Sequence, residues 1–172
     1  YSDVLTPFLG VAGGYAGATG WWSNLRAFSM ERFAVAPSGG RLPVQRYLSK
    51  ALLNRITFSE LQFLRTQVDE VLNRLPGDEL YAEDNGSEPV RNQEVIQSWE
   101  SIRSLCEDAC CGDTMEGVAQ LQCMIKRAQE VYARCRQAGV AFDQKSNEEH
   151  LAALSEGVDL FQELAELRAP AE

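Results

Sequence analysis

Val4 to Leu25 reads VLTPFLGVAGGYAGATGWWSNL: twenty-two residues without a charge, carrying glycine at 10, 13, 14, 17 and 20. Few local structures accommodate such a run. Glycine-rich loops can converge several backbone N–H groups on a phosphate. The specific forms are missing here: there is no GxxxxGK[ST], no lysine precedes Lys50, and GVAGGYAGATG does not supply GxGxxG between a strand and a helix.

A membrane span fits better, because about twenty predominantly apolar residues cross a bilayer. Pro7 falls in the first turn of such a helix, where its missing N–H costs little. Gly10 with Gly14, Gly13 with Gly17, and Ala16 with Gly20 are spaced as small-xxx-small pairs, which let a second helix approach closely. Trp21 and Trp22, followed by Arg26 and Arg32, resemble an interfacial aromatic belt with a basic flank. That flank orients the C-terminal body towards the cytoplasm-, matrix- or stroma-like side. The competing reading makes Val4–Leu25 a buried, partly irregular segment wrapped on the protein's own helices. Glycine's backbone entropy cost in a water-exposed helix weighs against that reading, whereas a bilayer enforces internal hydrogen bonding.

The chain of 172 residues carries a formal charge of −9, unevenly distributed. Arg26, Arg32, Arg41, Arg46, Lys50 and Arg55 face the single acid Glu31 over the stretch from 26 to 55, and the remainder is acidic. An acidic chain is poorly suited to phosphate-backbone contacts, so nucleic acid is not an expected partner. Opening on Tyr1 rather than Met, it reads as a processed product from which any targeting peptide has gone.

Beyond residue 57 the apolar spacing is helical. Thr57 and Glu60 form a capping box for a helix with Leu61, Leu64, Val68, Leu72 and Leu75 on one stripe, ended by Pro76-Gly77. PGDELYAEDNGSEP reads as a solvated loop. A second helix spans Arg91 to Cys111 with Val95, Trp99, Ile102, Cys106 and Ala109 inward, and Gly112 with Asp113 or Thr114 punctuates the turn. A third carries Met115, Val118, Leu121, Ile125, Ala128, Tyr132 and Cys135 as far as Gly139. A capping box at Ser146 and Glu149 opens a fourth, with Leu151, Leu154, Val158, Phe161 and Ala165 inward. A short helix is expected over Val44–Asn54. The fold expectation is therefore all-α: an N-terminal glycine-rich transmembrane helix over residues 1–25, a basic linker with a short helix over 26–56, and an acidic up-down four-helix bundle over 57–172.

No catalytic pattern stands out. His150 is the single histidine, Cys106, Cys110, Cys111, Cys123 and Cys135 lack CxxC knuckles, and neither GxSxG nor ExxH is present. The cysteines read as small hydrophobes, their odd number argues against a disulfide framework, and no metal or other cofactor is called for. The expected function is that of a non-catalytic, membrane-anchored accessory subunit of a larger membrane complex, a photosynthetic or respiratory assembly being one home. Its helix-packing residues are Gly10, Gly13, Gly14, Gly17 and Gly20, and its membrane-interface residues are Trp21, Trp22, Arg26 and Arg32. Partners are other membrane subunits and the bilayer, with no small-molecule substrate identified, although pigment or quinone contact at Trp21, Trp22 or Asn24 is conceivable. The alternative is a soluble helical adaptor or chaperone-like module whose opening segment is buried on the bundle or on a partner.

Overall fold

The computed structural model describes residues 3–17, 44–81, 89–110 and 112–168, and these are mostly helical. Helices α3 (Arg91–Ala109), α4 (Thr114–Gln137) and α5 (Glu149–Arg168) are the long elements. Ahead of them come a short helix α1 (Thr6–Val11), a hairpin of strands β1 (Arg46–Ser49) and β2 (Asn54–Thr57), and helix α2 (Phe58–Gln67). The main core joins Tyr47, Leu48, Leu52, Leu53 and Ile56 of the hairpin region to Leu61 and Leu64 of α2, Ile102 and Leu105 of α3, and Leu121, Ile125 and Tyr132 of α4.

Local signals placed several helix ends correctly. Thr57 Oγ1 accepts from the Glu60 N–H and the Glu60 carboxylate accepts from the Thr57 N–H, which gives both orphan donors a partner. Asp113 caps α4 by accepting from the N–H groups of Met115 and Glu116. At the other end of α4, Gly139 takes φ +90° while its N–H reaches Arg136 O and the Val140 N–H reaches Cys135 O, a Schellman closure.

Several expectations need correction. Residues 44–54 do not form a helix: Arg46–Ser49 pairs antiparallel with Asn54–Thr57, Tyr47 opposite Ile56 and Leu48 opposite Arg55. Long-range amides decide this. Gln97 accepts from the Leu48 N–H at 3.1 Å and donates to Leu48 O at 2.9 Å, while Asn73 donates to Leu48 O at 2.7 Å and accepts from the Lys50 N–H at 2.7 Å. The free edge of β1 is thus satisfied by side chains from two other segments, so burying the strand leaves those groups no deficit.

The second correction concerns α2, which stops at Gln67 rather than running on to Leu75; a 3-10 turn follows at Asp69–Val71. That break turns Val71 O towards Ser49 Oγ (2.7 Å) and lets Asn73 reach the hairpin. Four helices of about five turns each are therefore not present: α2 has 10 residues. Pro76–Tyr81, expected in a solvated loop, is a 3-10 segment with Gly77 and Tyr81 buried.

The third lies in the facing of α3. Trp99, expected inward, is 40 % exposed, while Gln97, Ser98 and Ser101 are buried. Gln97 serves β1, and Ser98 Oγ accepts from Arg55 Nη1 at 2.6 Å, so a polar stripe faces the interior. The last expected helix is present as α5, but Ser146 does not cap it: its hydroxyl accepts from Arg46, and Asn147 Oδ1 accepts from the Glu149 N–H instead.

Candidate docking surface

The opening segment is broken within its described part. A 3-10 turn at Asp3–Leu5 leads into α1, which ends at Val11. The continuous helix expected across Val4–Leu25 is corrected for residues 4–17, because Gly13 takes φ +86° and closes the helix. The Gly14 N–H reaches Leu9 O at 2.8 Å and the Gly13 N–H reaches Gly10 O at 3.0 Å, a second Schellman closure. Among the described residues no helix is long and apolar enough to cross a membrane.

The glycines therefore do different jobs. A methyl group at Gly10 would stand 2.9 Å from Cys110 Sγ, so Gly10 lets α1 lie close to α3. One at Gly14 would stand 2.6 Å from Leu9 O, and one at Gly17 would stand 2.5 Å from Thr6 Cγ2; both glycines bend the chain back over α1. Gly20, Trp21, Trp22, Arg26 and Arg32 lie outside the described residues, as does Asn24. From the other side Gly117 of α4 makes room for Val11, whose two γ-carbons would lie 2.9 Å from an added Cβ. Asp3 anchors the segment with a two-pronged ion pair to the buried Arg55, at 3.0 Å to Nε and 3.1 Å to Nη2.

Packing of α1 against α4 and α5 leaves an apolar groove of about 320 Å³, lined by Leu5, Phe8 and Leu9 on one side and by Leu154, Gly157 and Phe161 on the other. Leu5 and Leu9 stay 45 % and 48 % exposed. Leu160 and Leu164 are also exposed and fall on the α5 stripe of Ala153 and Gly157 by helical spacing. Glu156, Asp159 and Glu163, all exposed, lie on another face of the same helix, where they line a separate hollow with Gln129 of α4. The result is an apolar slot whose lining carries no charged residue, with the acids gathered on another face of α5. Sequence reasoning missed it because Leu5, Phe8 and Leu9 were absorbed into a presumed span.

Several titratable groups are buried inside the protein and held by hydrogen bonds or ion pairs. Burial drives the phenols of Tyr47, Tyr81 and Tyr132 above their usual range, so they remain neutral donors. Tyr47, for instance, donates to Asp78 Oδ1 at 2.9 Å while accepting from the Asn73 N–H at 2.8 Å. Burial also raises the Glu94 carboxyl, against the opposing pull of Arg91 and Arg55; at 3 % exposure it has no access to a substrate. Cys135 sits in the core, where burial pushes its thiol up to about 11. Cys110 is exposed beside Pro7 O, Cys106 is half-buried and Cys123 is exposed, while Cys111 lies outside the described residues. Among the described residues no group of three or more His, Cys, Asp or Glu is placed to hold a metal ion.

His150 is half-buried, its Nε2 3.0 Å from Leu53 O and its Nδ1 3.2 Å from Asn147 O. It ties the start of α5 to the hairpin turn. Burial lowers its pKa, with the two carbonyls opposing in part. No protein-family model, curated protein or solved structure matches the chain, so the reading of its function rests on its own geometry.

Proposed function

We propose that this protein is a non-catalytic docking module: a helical body, its four helices α2–α5 arranged up and down, that binds an amphipathic helix of a partner within a larger assembly. The supporting observation is the uncovered apolar groove between α1 and α5. Its apolar lining takes the leucine-like face of such a helix, and the chain's charge of −9 favours lysine or arginine on the helix's other face, the usual logic of helix-in-groove recognition. The opening segment then belongs to the body, as one wall of the groove.

A labelled model helix with leucine on one face and lysine on the other, titrated by fluorescence anisotropy, provides the test. Leu9→Gln should weaken binding by about tenfold, the scale of one buried leucine, whereas Phe63→Gln, an exposed apolar position on α2, should leave it unchanged. Equal loss in both variants, or equal binding of a leucine–glutamate helix, would falsify the groove. A second reading is a membrane-anchored accessory subunit, favoured by Trp21 and Trp22 ahead of Arg26 and Arg32. Carbonate washing of membranes separates the two: retention in the pellet supports the anchor, and release supports the module.

A further inference from the structure

We propose that the cleft between the hairpin turn, α3 and α4 is a binding site for a small aliphatic carboxylate. The cleft has a volume of about 220 Å³. Its floor is apolar, made by Ala51, Leu72, Leu105 and Met124, and its mouth carries Lys50, Asp108, Gln120 and Arg127.

Lys50, Gln120 and Arg127 can donate, while Asp108 accepts from Lys50. Lys50 opens the turn after β1, and its ammonium donates to Ser104 Oγ at 2.6 Å and pairs with Asp108 Oδ2 at 2.7 Å. These two α3 contacts fix a side chain that is 20 % exposed and leave one ammonium proton over. Gln120, Met124 and Arg127 recur at helical spacing on one face of α4. Neither Arg127 nor Gln120 makes a hydrogen bond or ion pair with a described residue. Asn73, also in the wall, is already committed to Lys50 N, Leu48 O and Ser101 Oγ.

A fork-shaped guanidinium, an amide and a spare ammonium proton above an apolar floor match a carboxylate whose short hydrocarbon tail lies inward. Charge decides between anions. Lys50 and Arg127 against Asp108 leave one net positive charge, enough for a carboxylate but not for a phosphate monoester dianion. The surrounding chain, at −9, offers no compensation for a second negative charge.

Calorimetric titration of the full chain with hexanoate, hexyl phosphate, hexylammonium and inorganic phosphate tests the assignment. Hexanoate should bind one to one, hexyl phosphate no more tightly, and the other two without measurable heat. Arg127→Gln should weaken hexanoate about tenfold, as expected for losing a hydrogen bond to a charged group. Lys126→Gln, the same charge change one residue outside the cleft, should have no effect. Circular dichroism of both variants should match the parent, since both side chains are exposed on α4. The proposal is overturned by absence of hexanoate binding, by equal weakening in the two variants, by tighter binding of hexyl phosphate, or by inorganic phosphate binding as well as hexanoate.

Discussion

Gly13 and Gly157 both face open space, yet replacing each by alanine should act in opposite directions. Gly13 holds φ +86° at the end of α1, a conformation that costs an L-residue about 1–2 kcal/mol, so Gly13→Ala should lower the thermal midpoint. Gly157 lies inside α5, where alanine is favoured over glycine by about 1 kcal/mol. Gly157→Ala should therefore raise the midpoint while narrowing the groove that Gly157 lines. His150 carries the second expectation at this scale. Its folded pKa is depressed by burial below the unfolded value, so the unfolded chain takes up the proton first as pH falls. Its contribution is unchanged above the ordinary histidine range and turns unfavourable as pH drops from about 6.5 through the folded value. Urea unfolding between neutral and mildly acid pH should show that loss in the parent and a smaller one in His150→Gln. Asp143 acts in a separate, lower window. Burial pushes its carboxyl up, but hydrogen bonds from Arg46 and from the N–H groups of Lys145 and Ser146 outweigh this and hold it below its usual range. Stability from Asp143 is present above the ordinary aspartate range and is lost only as pH falls through that lower folded value.

At the scale of elements, the hairpin depends on two amides more than on its own residues. Gln97→Leu removes the acceptor for the Leu48 N–H, although Leu48 O keeps Asn73. The orphaned buried donor should cost about 1–3 kcal/mol in urea unfolding, and the Leu48 amide should lose protection in hydrogen exchange. The docking of α1 depends likewise on a notch in another helix. Gly117→Val would push side-chain atoms into Val11, and an added Cβ alone would already meet Ala109 O at 3.2 Å. Amides of residues 8–14 should then exchange faster while those of α4 keep their protection. Neither dependence can be read from the segment it controls. The stretch RYLSKALLNRIT has apolar residues at spacings that suit a helix, and the amides that convert it into strands arrive from positions 73 and 97.

For the whole molecule, Asp3 and Arg55 join the start of the described chain to the hairpin, with the Arg55 side chain 10 % exposed. Asp3→Ala leaves that guanidinium buried without its carboxylate, a loss of about 3 kcal/mol. Thermal unfolding should register it, and α1 should loosen with it. The sequence by itself determined the helical character of the C-terminal body, the caps at Thr57 and Asp113, the stop at Gly139 and the acidic charge, because each is set by neighbours within one or two turns. Gly13 and Gly14 fit a packing motif as well as an irregular segment, local spacing could not choose, and only the structure shows Gly13 closing α1. Tertiary structure decided the rest. It turned 46–57 into a hairpin, rotated Trp99 outward by burying Gln97 and Ser98, and gathered Lys50, Gln120 and Arg127 around one cleft. In each case the deciding partner is a buried polar group or a missing side chain far along the chain. The cost of leaving a polar atom unpaired, or of overlapping two atoms, exists only once those distant segments are brought together.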